Sequence, residues 1–460
     1  MQWVLKKLWI FTILLGISAS AWGAALRAGV AQADITPPVG LPMYGFFSRI
    51  KKNEVATGTR DPLYARVLVL ETGQSKVAFV TLDLGRTFDP PTMERLKAIL
   101  RKQDGISDLI ITASHTHSGP NIIDVDPPAD VTAWERVTVE KISGAVKDAC
   151  HHLEKVRTGT GYGSAFIGYN RRVVNADGTV KMLWTDPTKI PTSPVDPTVS
   201  VLRIDRTDGQ PLAILVNYAC HPVVYGADNR EYSADFPGVM TRFVEQAFGG
   251  RPICFFLQGA PGDINPYYAT IPLADGAVKD CQWTGETLGR EVVKVAKDIH
   301  TQAPANPSLQ FAEDVLQIGV RWNPREFRQG LLTDFGPKVF DDHADFFKLR
   351  APDTLPLAVT TLLIDKQIAF VGMPGEPFVN FQIDWRVRCP VHNAFFLGYT
   401  NGYFDYIPTI QAATQGGYGA GDSDTYVQVG AGERMLNHAL IRIYGMLGKF
   451  NELPEDLRKK

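Results

Sequence analysis

The chain has 460 residues, a formal charge of −2, 45% hydrophobic and 21% charged residues, which is the balance of an ordinary globular protein with room for one large α/β domain or two smaller ones. Its near-zero charge argues against a nucleic-acid or strongly acidic partner. It carries no heptads, low-complexity tract or internal repeat, which sets aside fibrous and solenoid architectures.

The N-terminus, "MQWVLKKLWIFTILLGISASAWGAALRAG", places Lys6 and Lys7 before an apolar run of roughly ten residues and then small residues, the three regions of a signal peptide. The run is short of the about 20 apolar residues of a membrane span. The expectation is a signal peptide over 1–23, cleaved near Gly23 or Ala24, with an uncleaved anchor as the alternative. The remaining 24–460 is then one exported domain, periplasmic or secreted. Five cysteines (150, 220, 254, 281 and 389) form no metal knuckle, and most read as buried, inert thiols.

Beyond it, apolar strands alternate with amphipathic helices. Strand-like runs are 65–71, 76–83, 108–115, 211–221, 253–259, 367–376 and 393–400; helix-like runs are 90–103, 132–156, 237–249, 286–300 and 432–447. Several strands are apolar throughout, as in sheets buried on both faces. The expected fold is α/β, with a mixed, largely parallel sheet flanked by helices and the active site at the carboxyl ends of the strands. Residues 184–199 read as a Pro-rich loop and 319–356 as an insertion.

The strand ends share a chemistry. "FVTLD" stops at Asp83, "IITASHTH" at His115 and His117, "LVNYACH" at His221, and "CFFLQGAPGD" in a turn with Asp263. "AFVGMPGE" stops at Glu376, and "FFLGYTNGYFDY" runs into Tyr403, Asp405 and Tyr406. Singly, each has a structural explanation; Glu376 before Pro377, for instance, suits a helix start. Together, two or three histidines and a carboxylate form a donor set for Zn²⁺ with a position left for water. His115 and His117 stand two apart, so an extended strand would turn both rings to one side, as two ligands or as one ligand and one substrate contact. Asp83 and Asp263 are candidates to orient imidazoles from behind. Cys220 beside His221, and Ser118 without a G-x-S-x-G elbow, do not form nucleophile pairs.

Five stretches carry a resemblance: "SHTHSGP" (114–120), "NYACHP" (217–222), "GAPGDINP" (259–266), "GEPF" (375–378) and "NGYFDYIPT" (401–409). With them, the chain resembles the catalytic domain of the neutral/alkaline non-lysosomal ceramidases, from "RAGVAQADITPPVGLPMYGF" to its last helix. The resemblance implies His115, His221, Glu376 and Tyr406 as zinc ligands and His117 as a substrate-contacting catalytic residue. It pairs Tyr418, twelve residues beyond Tyr406, with a further family tyrosine, and places Arg171, after Asn170, in a substrate-binding segment. It does not extend to the family's immunoglobulin-like C-terminal domain. Where the family loop reads Gly-Asp-Val-Ser-Pro-Asn with serine as its assigned nucleophile, this chain reads Gly262-Asp263-Ile264-Asn265-Pro266-Tyr267. Asn265 cannot form an acyl-enzyme, although it can donate a hydrogen bond to substrate.

The expected function is therefore a zinc-dependent amidohydrolase acting on a lipid-like N-acyl substrate through a metal-activated water, with His117, Tyr418, Asn265 and Asp263 as catalytic residues and Arg171 and Asn265 as substrate contacts. The alternatives are hydrolysis of an ester or sugar-linked group on the same site, or a non-catalytic binding relative. "YGFFSR" at 44–49 is a candidate for peripheral membrane contact.

Overall fold

A computed structural model describes residues 25–52, 54–122, 129–323, 354–421 and 425–450, with only the backbone at 50, 51 and 129–132. The expected signal peptide and most of the expected insertion at 319–356 lie outside the described residues.

Eight long strands form the first sheet: β1 (Arg27–Asp34), β2 (Tyr64–Thr72), β3 (Ser75–Leu82), β4 (Asp108–Ala113), β5 (Glu154–Ser164), β6 (Thr198–Arg206), β7 (Pro211–Tyr218) and β8 (Ile253–Gln258), in the order β8-β7-β6-β5-β1-β2-β3-β4. Four more form a second: β9 (Leu309–Gly319), β10 (Thr354–Ile364), β11 (Ile368–Gly372) and β12 (Asn393–Leu397), in that order. The long helices are α1 (Pro90–Asp104), α2 (Ala129–His151), α3 (Asp235–Ala247), α4 (Ala277–Asp298), α5 (Val379–Arg388) and α6 (Ala431–Met446). None of the described helices is long and apolar enough to cross a membrane.

The layering follows from side-chain alternation. Along β2, Leu68 and Leu70 join Phe79, Ile110, Leu215 and Phe255 in a core shared with Leu362, Phe370, Phe395 and Leu397 of the second sheet. Phe79 and Phe370 meet edge to face there, ring centres 5.6 Å apart. The intervening Val67 and Val69 face the other way, under Leu96 of α1 and Ile142 and Val146 of α2. The helices α3 and α4 cover Val201, Val216 and Phe256 in the same manner, while α5 and α6 cover Val359, Val371 and Phe396. The result is helix on sheet on sheet on helix, and burial on both faces accounts for the unbroken apolar runs. Local signals set the helix ends: the Asp89 carboxylate caps α1 by accepting from Thr92 N, Pro90 and Pro91 fill its first turn, and Gly105 closes it at φ +66°.

The mixed α/β architecture is as expected, but the sheets are mostly antiparallel. Among the described long strands, parallel pairing is confined to β3·β4, β7·β8 and β11·β12. The pairs β1·β2, β1·β5, β5·β6, β6·β7, β2·β3, β9·β10 and β10·β11 are antiparallel. The reason lies in strands the apolar pattern did not mark. Along β5, "EKVRTGTGYGS" is mostly half-exposed, and β9 and β10 flank the expected insertion, so that 319 and 354–356 are strand ends.

Those three parallel pairs lead into the segments with Asp83, the histidines, Asp263, Glu376 and Tyr406, while Arg171 follows β5. Buried polar side chains hold their carboxyl ends together: Gln258 Nε2 donates to the carbonyls of Ser114 and Cys220, both at 2.9 Å. Asn217 Nδ2 donates to Leu257 O at 3.0 Å and Phe396 O at 2.8 Å, and Thr112 Oγ1 donates to Gly398 O at 2.9 Å. Carbonyls at four strand ends, spread over both sheets, thus accept from side chains of the first sheet, which fixes the relative placement of the loops above them.

Candidate metal centre

His115 follows β4 directly, yet its backbone is not extended. It turns into the left-handed region at φ +69°, held by His115 N donating to Leu84 O at 2.9 Å. A non-glycine residue there costs on the order of 1–3 kcal/mol, which the surrounding structure must offset. The two imidazoles therefore converge through a turn and not through strand alternation. His115 Nε2 and His117 Nε2 lie 3.1 Å apart.

His221 follows β7, and its ring centre is 5.0 Å from that of His115. The ligand atoms of His115, His117 and His221 all lie within 4.8 Å of one another, a group that could hold a metal ion. Glu376 completes it: Oε2 is 3.1 Å from His221 Nε2 and Oε1 is 3.5 Å from His115 Nε2. Glu376 sits in a two-residue parallel bridge in register with Tyr406, and Gly262 crosses against it. A Cβ on Gly262 would stand 2.5 Å from Glu376 O, so the 259–266 loop reaches the site only with glycine there.

Tyr406 joins through Arg171, whose Nη2 donates to Tyr406 OH at 2.9 Å and to Gly262 O at 2.7 Å, while Nη1 donates to Asn265 Oδ1 at 3.3 Å. The buried guanidinium faces the rings of Tyr418, Tyr406 and Trp184 at 5.0, 5.5 and 5.8 Å. Asn265 is bonded at both ends of its amide, its Nδ2 donating to Trp184 O at 3.2 Å.

Electrostatics follow from burial. Desolvation lowers His115 to about 4 against the pull of Glu376, and burial together with the neighbouring histidines lowers His117 well below its ordinary value, which favours the neutral rings. Burial would raise the Glu376 carboxyl, but His115, His221 and the Tyr403 hydroxyl outweigh it and hold Glu376 well below the usual carboxylate range. Burial keeps Tyr406 a neutral phenol, with Arg171 acting in the opposite direction.

The two carboxylates expected behind the imidazoles do other work. Asp83 pairs with Arg66 at 2.8 Å and accepts from Tyr64 N, and Asp263 accepts from Asn170 Nδ2 at 2.7 Å and from Val379 N at 2.9 Å, where it fixes the start of α5. The imidazoles are oriented by backbone: His115 Nδ1 bonds Gly85 O at 2.6 Å and His221 Nδ1 bonds Ile264 O at 3.1 Å. Four residues had no role in the sequence reading: Tyr399 stacks on His115 at 4.2 Å, Tyr403 donates to Glu376 Oε1 at 2.6 Å, Tyr44 donates to Tyr403, and Arg49 bonds the carbonyls of Tyr44 and His117. Tyr403 ends a marked strand segment, Tyr44 and Arg49 bound the 44–49 segment read above as a candidate membrane contact, and nothing in the sequence gives Tyr399 a site role.

Fold and site together define a two-sheet α/β protein with a buried histidine–carboxylate cluster at its strand ends. Residues 26–310 match the family model of the neutral/alkaline non-lysosomal ceramidase N-terminal domain, and the chain belongs to that family. The neutral ceramidase of Pseudomonas aeruginosa is 31% identical over 114 residues, a match spanning 24% of this chain and 17% of that relative. The crystal structure of neutral ceramidase from that organism superposes with a TM-score of 0.72 at 17% identity, covering 94% of this chain and 76% of the other. A solved ceramidase complexed with C2 gives 0.71 over the same shares. At that identity the superpositions establish the fold alone.

Proposed function

We propose that the protein is an exported, zinc-dependent hydrolase of an N-acyl amide, with His115, His221, Glu376 and Tyr406 as the ligands. The observation that carries this is the tautomer each ring must adopt. A carbonyl oxygen can only accept, so Gly85 O and Ile264 O hold a proton on Nδ1 of His115 and His221, and Nε2, the atom each ring would offer a metal, faces the Glu376 carboxylate. Two imidazole nitrogens and a carboxylate suit zinc. The 3.1 Å from His221 Nε2 to Glu376 Oε2 is close to the ~3.3 Å expected between atoms ~2.0 Å from one tetrahedral centre, and His115 Nε2 approaches the same carboxylate on its Oε1 side at 3.5 Å. Bound there, zinc would supply a Lewis acid that polarises a carbonyl and lowers the pKa of a water to about 7.

The same reasoning separates His117 from the ligands. Its Nδ1 is buried without a hydrogen-bond partner, and an orphaned N–H costs more than an orphaned lone pair. The proton therefore sits on Nε2, 3.1 Å from His115 Nε2, which makes His117 a donor; with the His115 lone pair taken up by a metal, that N–H would be released toward the oxygen of a substrate carbonyl as charge develops on it. Arg171 adds a fixed positive charge on the side of Tyr406, where it can bind and orient the acyl group. Tyr418, half-buried against Tyr406, is a second candidate donor. Asn265 positions Arg171 through its carbonyl oxygen, and Asp263 acts as a structural anchor. The N-terminal charge and apolar pattern supports export.

Zinc-loaded protein assayed on matched N-acyl amides and esters is expected to favour the amides; cleavage of esters alone would overturn the amide reading. Asn265→Ala is expected to keep zinc stoichiometry and lower kcat/KM by ~10-fold through loss of one charged hydrogen bond to Arg171. Loss of the metal in that variant would place Asn265 in the ligand support instead.

A further inference from the structure

Two tyrosines outside the ligand set form a polar chain that ends on the carboxylate. Ionised Glu376 can only accept, so Tyr403 must donate to Oε1, and that bond is 2.6 Å. The Tyr403 oxygen is then left to accept, and the Tyr44 hydroxyl donates to it at 3.0 Å. Both rings are held in place independently of these protons. Tyr403 lies parallel to Tyr399 at 6.1 Å with the Arg86 guanidinium 5.7 Å from its ring centre, and Tyr44 meets the rings of His115 and His117 edge-on, each at 5.6 Å. The chain contributes one feature the ligands cannot supply: its hydroxyl takes Oε1 and leaves Oε2 facing His221 Nε2 at 3.1 Å.

We propose that Tyr403, with its donor direction fixed by Tyr44, is a positioning residue that holds Glu376 in the orientation in which Oε2 ligates the metal. This rests on the reading of Glu376 as a ligand given above. Tyr44 belongs to the 44–49 segment and Tyr403 to the loop after β12, so a loop that touches His117 is coupled to the carboxylate through two hydroxyls. A bond from the shell behind a ligand is worth about 10–100-fold in metal affinity. The outer, neutral bond is worth roughly 2–10-fold.

The test is zinc affinity of the purified protein, by competition with a chromophoric chelator, for wild type, Glu376→Gln, Tyr403→Phe, Tyr44→Phe and Tyr232→Phe. Phenylalanine keeps each ring and removes only the hydroxyl. Tyr232 is a buried hydroxyl outside the site, bonded to Pro38 O at 3.3 Å, and reports what a lost hydroxyl does to the fold alone. The expected result is a ~10–100-fold weaker Kd for Tyr403→Phe, a ~2–10-fold weaker Kd for Tyr44→Phe, and no change for Tyr232→Phe. With Co²⁺ in place of zinc, Tyr403→Phe is also expected to alter the visible band, because Oε1 becomes available as a ligand atom; a merely structural hydroxyl would leave that band alone. If Tyr403→Phe fails to fold, Tyr44→Phe decides. A weakened Glu376→Gln beside unchanged tyrosine variants would overturn the relay and leave the metal site standing. An unchanged Glu376→Gln would overturn the ligand reading and the relay with it.

Discussion

Replacing Glu376 with glutamine is expected to weaken zinc binding by roughly 10²–10³-fold and to abolish hydrolysis at ordinary zinc concentrations. The magnitude follows from sharing the ~10–16 kcal/mol of a four-ligand zinc site among its ligands, about 3 kcal/mol each. Glutamine keeps the shape and an oxygen but removes the negative charge. That charge balances much of the site: His115, His221 and Arg171 all surround a carboxylate that is 2% exposed and held well below its ordinary pKa. Chelator competition on the purified variant checks it. A variant that binds zinc as tightly as wild type would remove Glu376 from the ligand set.

Arg49→Ala is expected to destabilise the folded protein by about 3–5 kcal/mol, because buried carbonyls that lose their donor cost about 1–3 kcal/mol each and water can replace only some of the lost bonds. All five guanidinium N–H groups are used. Nε donates to Ala227 O at 3.0 Å, Nη1 to Tyr44 O at 3.1 Å and His117 O at 2.5 Å, and Nη2 to Gly226 O at 2.9 Å and Asn229 O at 2.6 Å. Burial lowers its pKa to about 10, with Glu54 opposing, so it stays charged at neutral pH. One side chain thus ties the 44–49 segment to the His117 turn and to the 226–229 loop. Lysine has three donors and no fork, so Arg49→Lys is expected to recover only a minor part of the loss. Denaturant midpoints at constant m measure it; a shift equivalent to less than about 1 kcal/mol in Arg49→Ala would show that the carbonyls find water instead.

The sequence made part of this legible for a physical reason. Strands β2, β3, β4, β7, β8, β11 and β12 are buried on both faces, so their apolar runs are continuous and the polar residue that ends each one stands out. Strand β5, half-exposed and rich in glycine and threonine, has no such signature, and without the antiparallel middle of the sheet the fold reads as more parallel than it is. In the site, His115, His221 and Glu376 were visible because each ends such a run. What brings the histidine pair together was not: the left-handed turn at His115 is a tertiary outcome, paid in backbone strain and secured by the Leu84 and Gly85 carbonyls. Asp83 was misleading for the same reason it was noticed, since a carboxylate at a strand end serves a buried arginine as well as it serves an imidazole. Tyr44 and Arg49 reach the site from a segment far from the motifs. In sequence, an arginine that bonds five carbonyls is indistinguishable from one on the surface.

The central claim is that His115 and His221 offer their Nε2 lone pairs to a resident metal. It is tested most directly by elemental analysis of the purified protein beside a His115→Ala/His221→Ala double variant. The expected result is about one zinc per folded chain in the native protein, as for a single catalytic site, and none in the double variant. Native protein that takes up no metal after incubation with zinc, or a double variant that keeps it, would contradict the account.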